Sequence, residues 1–186
     1  MQTAQLRFSE SGVPLVAVGH AYKQAMRRIR FKPDEVVLCS NDGNAAMFHD
    51  VMLEDAASAD LCTRFNNFGL YKKPLLAAFE RDAGFKARVV FQQAATDAPK
   101  LDAAFQPFIQ AGRLEVFTFD GEGNLEDMLY VRSRDGFVNL RLQTYPKEGT
   151  PVSGLGIWRA IKNGHHYEDY FSRMMELVKP LAPSCH

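Results

Sequence analysis

The 186-residue sequence has only three cysteines, Cys39, Cys62 and Cys185, and no CxxC pair. An odd number without that spacing argues against a disulfide framework and against a structural zinc site, and it suits a reducing compartment. Net charge is missing too, since Lys plus Arg and Asp plus Glu both number 22. The overall basic excess expected of a nucleic-acid or membrane-surface protein is therefore absent, and only a local patch could serve such a partner. No apolar run approaches the ~20 residues of a membrane-spanning helix. The opening segment 1–12 has neither the basic start nor the apolar core of a secretory signal. The expectation is a cytoplasmic chain with no membrane partner.

What is present is an ordinary globular composition, 46% hydrophobic and 24% charged, which predicts one α/β domain over residues 1–186 with a core of about 15–180. Tyr22, Ala25, Met26 and Ile29 form the apolar stripe of an opening helix from His20 to about Arg30, broken by Pro33. Glu35–Ser40 reads as a buried strand that runs into a loop, Asn41-Asp42-Gly43-Asn44. The stretch from Ala45 to Ala83 reads as mostly helical, broken near Gly69 and Pro74. Ala87–Phe91 is a second strand. Asp97 then caps a helix carrying Leu101, Phe105, Phe108 and Ile109, which stops at Gly112. Leu114–Phe119 is a third strand, 146–156 a loop, and a last helix starts near Tyr167 and is ended by Pro180 and Pro183. This order predicts a mixed, mostly parallel sheet with helices on both faces and an antiparallel hairpin toward the C-terminus.

The hairpin is marked by Asp135-Gly136 between Met128–Arg134 and Phe137–Gln143. A two-residue turn there pairs Arg134 with Phe137 and Tyr130 with Arg141. Alternation then sends Leu129, Val131, Ser133, Val138, Leu140 and Leu142 to the core. Tyr130, Arg132, Arg134, Asn139, Arg141 and Gln143 gather on the other face. Three arginine forks beside an aromatic ring suit phosphate contact and base stacking, although a charged sheet face also serves plain solubility. A second basic cluster, Lys23, Arg27, Arg28, Arg30 and Lys32, lies on the opening helix. The binding candidates are Arg132, Arg134, Arg141, Tyr130, Asn139, Lys23, Arg27 and Arg30.

Other chemistry is sparse. His165 and Asp169 have a metal-compatible spacing without further ligands nearby. His49, Asp50 and Glu54 could form an acid/base set but read as surface residues of a helix. Asp42 and Asn44 follow a strand, where open α/β sheets place ligands. Gly154-Leu155-Gly156 lacks the remainder of a phosphate loop, there is no GxSxG elbow, and Cys39 reads as packing. No catalytic residue, metal or cofactor is assigned.

The order of elements resembles one unit of the phospholipase D-like fold. An amphipathic helix precedes Val36–Asn41; Arg88–Phe91, a helix, Gly112 and Leu114-Glu115-Val116 follow; a hairpin and the aromatic-rich helix Tyr167–Leu177 close the unit. The resemblance covers roughly residues 15–180 and places the family's catalytic HxK pair at about Leu125 to Met128, where Leu125-Glu126-Asp127 stands instead. Asp135 and Asn139 correspond to the motif's acid and asparagine. The resemblance thus implies a degenerate single unit lacking HxK, and a homodimer, because active members pair two units. The function expected is a non-catalytic binding module, nucleic-acid-associated or regulatory, whose partner is a nucleic acid or other phosphate-bearing ligand. Two alternatives stand beside it. One is a phosphodiesterase or nuclease with a nonstandard site around Asp42, Asn44 and the 146–156 loop. The other is a structural subunit of a protein complex that docks through exposed Phe65, Phe68 and Tyr71.

Overall fold

The computed structural model describes residues 4–8, 14–17, 35–39, 42–64, 68–92, 101–119, 121, 127–143, 154–158 and 164–181. In chain order these form β1 (Ala4–Phe8), β2 (Pro14–Ala17), β3 (Glu35–Cys39), α1 (Asp42–Glu54), β4 (Ala56–Arg64), α2 (Gly69–Arg81) and β5 (Lys86–Gln92). A 3-10 turn (Ala103–Phe105), α3 (Gln106–Gln110), β6 (Leu114–Phe119), β7 (Met128–Ser133) and β8 (Val138–Gln143) come next. β9 (Gly154–Trp158), α4 (Gly164–Met175) and β10 (Lys179–Pro180) complete them. The strands make one mixed sheet in the order β10-β6-β5-β4-β7-β8-β9-β3-β1-β2. Parallel pairing, expected to predominate, is confined to β4–β5 and β5–β6. Every other pairing among the described residues is antiparallel.

Alternation along the central strands sorts the core into two layers. On one face Leu61, Val89, Val116, Leu129 and Val131 pack with Phe48 and Met52 of α1 and with Leu75 and Phe79 of α2. On the other, Cys62, Val90, Phe119 and Met128 pack with Phe171 and Met174 of α4. The helices therefore cover both faces, as expected.

Several sequence expectations are corrected. Of the expected loop, Asp42, Gly43 and Asn44 are helix, since α1 already starts at Asp42, and Asn41 lies outside the described residues; an acidic residue in a first turn complements the helix dipole. The mostly helical reading of 45–83 misses β4, which lies between β5 and β7 in the middle of the sheet. Its sequence AASADLCTR is poor in β-branched and aromatic residues, so propensity hides a strand that pairing on both sides enforces. Gly69 begins α2 and Pro74 lies inside it, buried with Tyr71, Leu75, Ala78 and Phe79; burial offsets the hydrogen bond that proline cannot donate. Residues 154–156, read as loop, belong to β9. The expected opening helix and the Asp97 cap lie outside the described residues. Farther on, Asp102 caps the 3-10 turn by accepting from the Ala104 amide, and Gly112 takes the left-handed conformation at φ 65° after α3.

The hairpin register also differs. Arg132 pairs with Val138, Tyr130 with Leu140 and Leu129 with Arg141. The connection holds three residues, Arg134, Asp135 and Gly136, with Gly136 at φ 84°. The Ser133 amide donates to the Phe137 carbonyl at 2.8 Å and the Gly136 amide to the Ser133 carbonyl at 3.0 Å. This is the three-residue turn with a left-handed glycine, which competes with the two-residue turn at the same Asp-Gly signal. One residue of slip transfers β8 to the opposite face relative to β7.

Candidate functional site

β4 is made of small residues, and that opens a hollow on the α4 face of the sheet. A register irregularity between Ala56 and Ser58 turns Ser58 and Asp60 toward this face. Two cross-strand rows form its floor. Ser58 has Lys86 beside it on β5 and Arg132 on β7. Asp60 lies between Arg88 on β5 and Tyr130 on β7, and Arg88 neighbours Glu115 on β6. Glu168 and Ser172 of α4 supply a wall, and the pocket holds about 290 Å³.

The charges are arranged in pairs. Asp60 receives two hydrogen bonds from Arg88, Nε to Oδ1 at 2.7 Å and a terminal guanidinium nitrogen to Oδ2 at 2.9 Å. These bonds raise the Arg88 pKa further, against the effect of burial. The Arg88 guanidinium also lies 5.0 Å from the Phe171 ring centre, which ties the pair to the underside of α4. Arg132 donates to Glu168 at 2.6 Å and to the Tyr130 hydroxyl at 3.3 Å. Burial pushes the Tyr130 hydroxyl up to about 12, with Arg132 opposing the shift and Glu168 and Asp60 adding to it. Lys86 is exposed at the rim and has no ion-pair partner among the described residues.

A second polar group lies on the other face, beneath α1 and α2. Asp127 accepts from Thr63 Oγ1 at 3.1 Å and from the Tyr71 hydroxyl at 3.3 Å. Tyr71 stacks on His49, ring centres 4.3 Å apart. His49, Thr63, Asp127, Asn139 and Arg141 are all buried. Burial first, and the Arg141 charge second, hold the His49 pKa well below its ordinary value; the Leu70 backbone opposes the shift, though neither ring nitrogen meets full hydrogen-bond geometry.

The structure thus divides the residues that the sequence assigned to one face. Tyr130 and Arg132 line the α4-side pocket. Arg134 sits in the turn and pairs with Asp82 at 2.9 Å. Arg141 and Asn139 are buried on the opposite side, because the slip of register moves them there. Lys23, Arg27 and Arg30 lie outside the described residues. His49, read as a surface residue, is fully buried; Tyr71 is too and Phe68 is buried, which removes those two aromatics as an exposed docking face. Phe65 lies outside the described residues. Sequence reasoning missed Ser58, Asp60, Lys86, Arg88 and Glu168. The alternation of Lys86 and Arg88 along β5 was readable, but the unrecognised β4 left them without neighbours.

Among the described residues no three metal-ligating side chains cluster, and no helix is long and apolar enough to cross a membrane. No protein-family model matches the sequence, and no curated protein does. Solved structures do match. The archaeal chromatin protein TrmBL2, described as showing a novel mode of DNA binding, superposes with a TM-score of 0.61 at 14% identity, over 82% of this chain and 55% of that one. Nuc from Salmonella typhimurium, a phospholipase D family member, gives 0.53 at 14% identity over 76% and 93%. Phosphatidylserine synthase from Haemophilus influenzae Rd KW20 gives 0.51 at 12% identity over 93% and 44%. At such identities the likeness shows the fold alone, and that fold is phospholipase D-like. This chain spans about half the length of TrmBL2.

Proposed function

We propose that this chain is a non-catalytic phospholipase D-like module that associates with nucleic acid. One observation carries the non-catalytic half. The resemblance places the family's histidine and lysine at about Leu125 to Met128, and the two described residues of that stretch are committed to the interior. Asp127 is engaged by the Thr63 and Tyr71 hydroxyls, and Met128 is fully buried in the α4-side core. A covalent intermediate of the family's kind needs a histidine there, and the sequence has none between 125 and 128.

Support for nucleic acid comes from the fold shared with a chromatin protein described as DNA-binding, and from the basic cluster Lys23, Arg27 and Arg30. Arg134, exposed in the turn, and the half-exposed Arg132 would add phosphate contacts in exchange for their ion pairs with Asp82 and Glu168. As a single unit the module would work as a homodimer in a regulatory assembly, which sedimentation of the purified chain reads directly.

The test is a titration of single- and double-stranded oligonucleotides at two salt concentrations, beside an assay of a chromogenic phosphodiester. Binding should weaken with salt, and changing Lys23, Arg27 and Arg30 together to Ala should reduce the salt slope by about 2–3. No phosphodiester should be cleaved. Absence of oligonucleotide binding at low salt would remove the nucleic-acid half of the reading. Metal-independent cleavage abolished by replacing any one histidine would remove the other half.

A further inference from the structure

We propose that the α4-side pocket binds the phosphate of a small phosphomonoester, held over Ser58 between Lys86 and Arg132. This inference goes beyond nucleic-acid binding: it shares Arg132 with that reading but rests on the pocket, and its test reads a small ligand.

The register supplies the geometry. Lys86 and Arg132 are the neighbours of Ser58 on its two sides, and all three project from one face. Adjacent strands lie about 4.8 Å apart, so the two cation-bearing backbones stand roughly 10 Å apart with a short hydroxyl side chain between them. That leaves a hollow flanked by an ammonium and a guanidinium fork, with a hydroxyl donor at its base. Both cations reach an anion there, and the fork suits two phosphate oxygens at once.

Charge decides which anion fits. Asp60 offers little repulsion, because Arg88 already takes both of its oxygens. Glu168 is the present partner of Arg132, but the side chains of that pair are 54% and 40% exposed. Exposed pairs contribute only about 0–1 kcal/mol, so a dianionic phosphate competes with Glu168 for the guanidinium. Glu115 and Glu168 remain at the edges of the pocket and disfavour a second anionic group. They favour a ligand whose body carries hydroxyl or amine donors. The volume of about 290 Å³ lies at the small end of ligand pockets and suits one small molecule rather than a polymer.

The position also separates this pocket from the stretch where the resemblance places the family's catalytic pair. Arg132 stands five residue steps along the chain from Asp127, which immediately precedes β7, a rise of about 17 Å. The pocket sits at the amino ends of the parallel strands β4 and β5, and Asp127 sits beside Thr63 near the carboxyl end of β4.

Isothermal titration of the full chain with glycerol 3-phosphate, inorganic phosphate and glycerol, at constant ionic strength in chloride, tests the proposal. Glycerol 3-phosphate should bind, inorganic phosphate more weakly, and glycerol not at all. Lys86→Ala and Arg132→Ala should each weaken glycerol 3-phosphate by about tenfold or more, as expected for a lost charge-assisted hydrogen bond. Lys73→Ala, an exposed lysine of α2 outside the pocket, should leave the affinity unchanged. Lys86 is itself exposed, so its variant keeps the fold, which circular dichroism verifies. Absence of wild-type binding would overturn the proposal, as would affinity that survives both pocket substitutions or falls equally in Lys73→Ala. Equal affinity for inorganic phosphate would overturn the placement of the ligand's body in the pocket.

Discussion

Asp60 on β4 and Arg88 on β5 face each other across adjacent parallel strands and share two hydrogen bonds, 2.7 and 2.9 Å long. The bidentate geometry, with the Phe171 ring 5.0 Å from the guanidinium, makes this pair the anchor between the centre of the sheet and α4. Part of the Arg88 side chain remains in solvent, so its contribution is that of a well-formed surface pair and not of a buried one. A double-mutant cycle with Asp60→Ala and Arg88→Ala should return a coupling of about 1 kcal/mol in urea unfolding. A coupling indistinguishable from zero would contradict the bidentate arrangement.

Two of the three hairpin arginines, Arg132 and Arg141, should differ sharply in their effect on stability. Arg141 is fully buried, and truncating it to Ala removes a charge and its volume from the interior. The expected loss is about 3 kcal/mol or more. Arg132→Ala, on the solvated side of the sheet, should cost at most about 1 kcal/mol. Equal small losses in both variants would restore the two-residue turn and place Arg141 at the surface.

Gly156 on β9 carries no side chain because the Phe48 ring occupies the space beside it. A Cβ built there would overlap the ring, and Phe48 is itself fully buried, so the ring has little room to move. Gly156→Ala should therefore destabilise the chain by about 1–3 kcal/mol through overpacking. Combined with Phe48→Leu, the additional cost of the alanine should fall, and the cycle measures the difference. Strict additivity would show that the two residues do not meet.

His49 should impose a pH dependence on stability. Its pKa in the folded chain is depressed by burial and by Arg141, so below the ordinary value of about 6.5 the unfolded chain binds a proton that the folded chain refuses. Stability is then full above about pH 6.5 and is lost as pH falls below it. Between pH 7 and 5.5 the wild type should lose about 1 kcal/mol more than His49→Phe, a variant that keeps a ring against Tyr71. Parallel pH profiles for the two proteins would show that His49 protonates as freely in the folded chain as in the unfolded one.

The sequence by itself determined the elements whose residues carry a strong local signal. β5 and β6 are apolar runs rich in valine and phenylalanine, the Asp135-Gly136 dipeptide marks the hairpin, and Tyr167, Phe171 and Met174 give α4 its apolar stripe. From these the α/β class and the phospholipase D-like arrangement could be read, and the solved structures share that fold. Tertiary structure decided the rest. Ala56–Arg64 is a strand because β5 and β7 pair with it on both sides, which no local propensity encodes. The same small residues that hide it from a sequence reading leave room for the pocket. The turn at Gly136 admits two loop lengths, and it is the packing of β8, with Leu142 against the α4-side cluster of Met128 and Phe171, that goes with the three-residue one. Because side chains alternate every residue, that single choice leaves Arg132 on the pocket side and sends Arg141 into the core on the other.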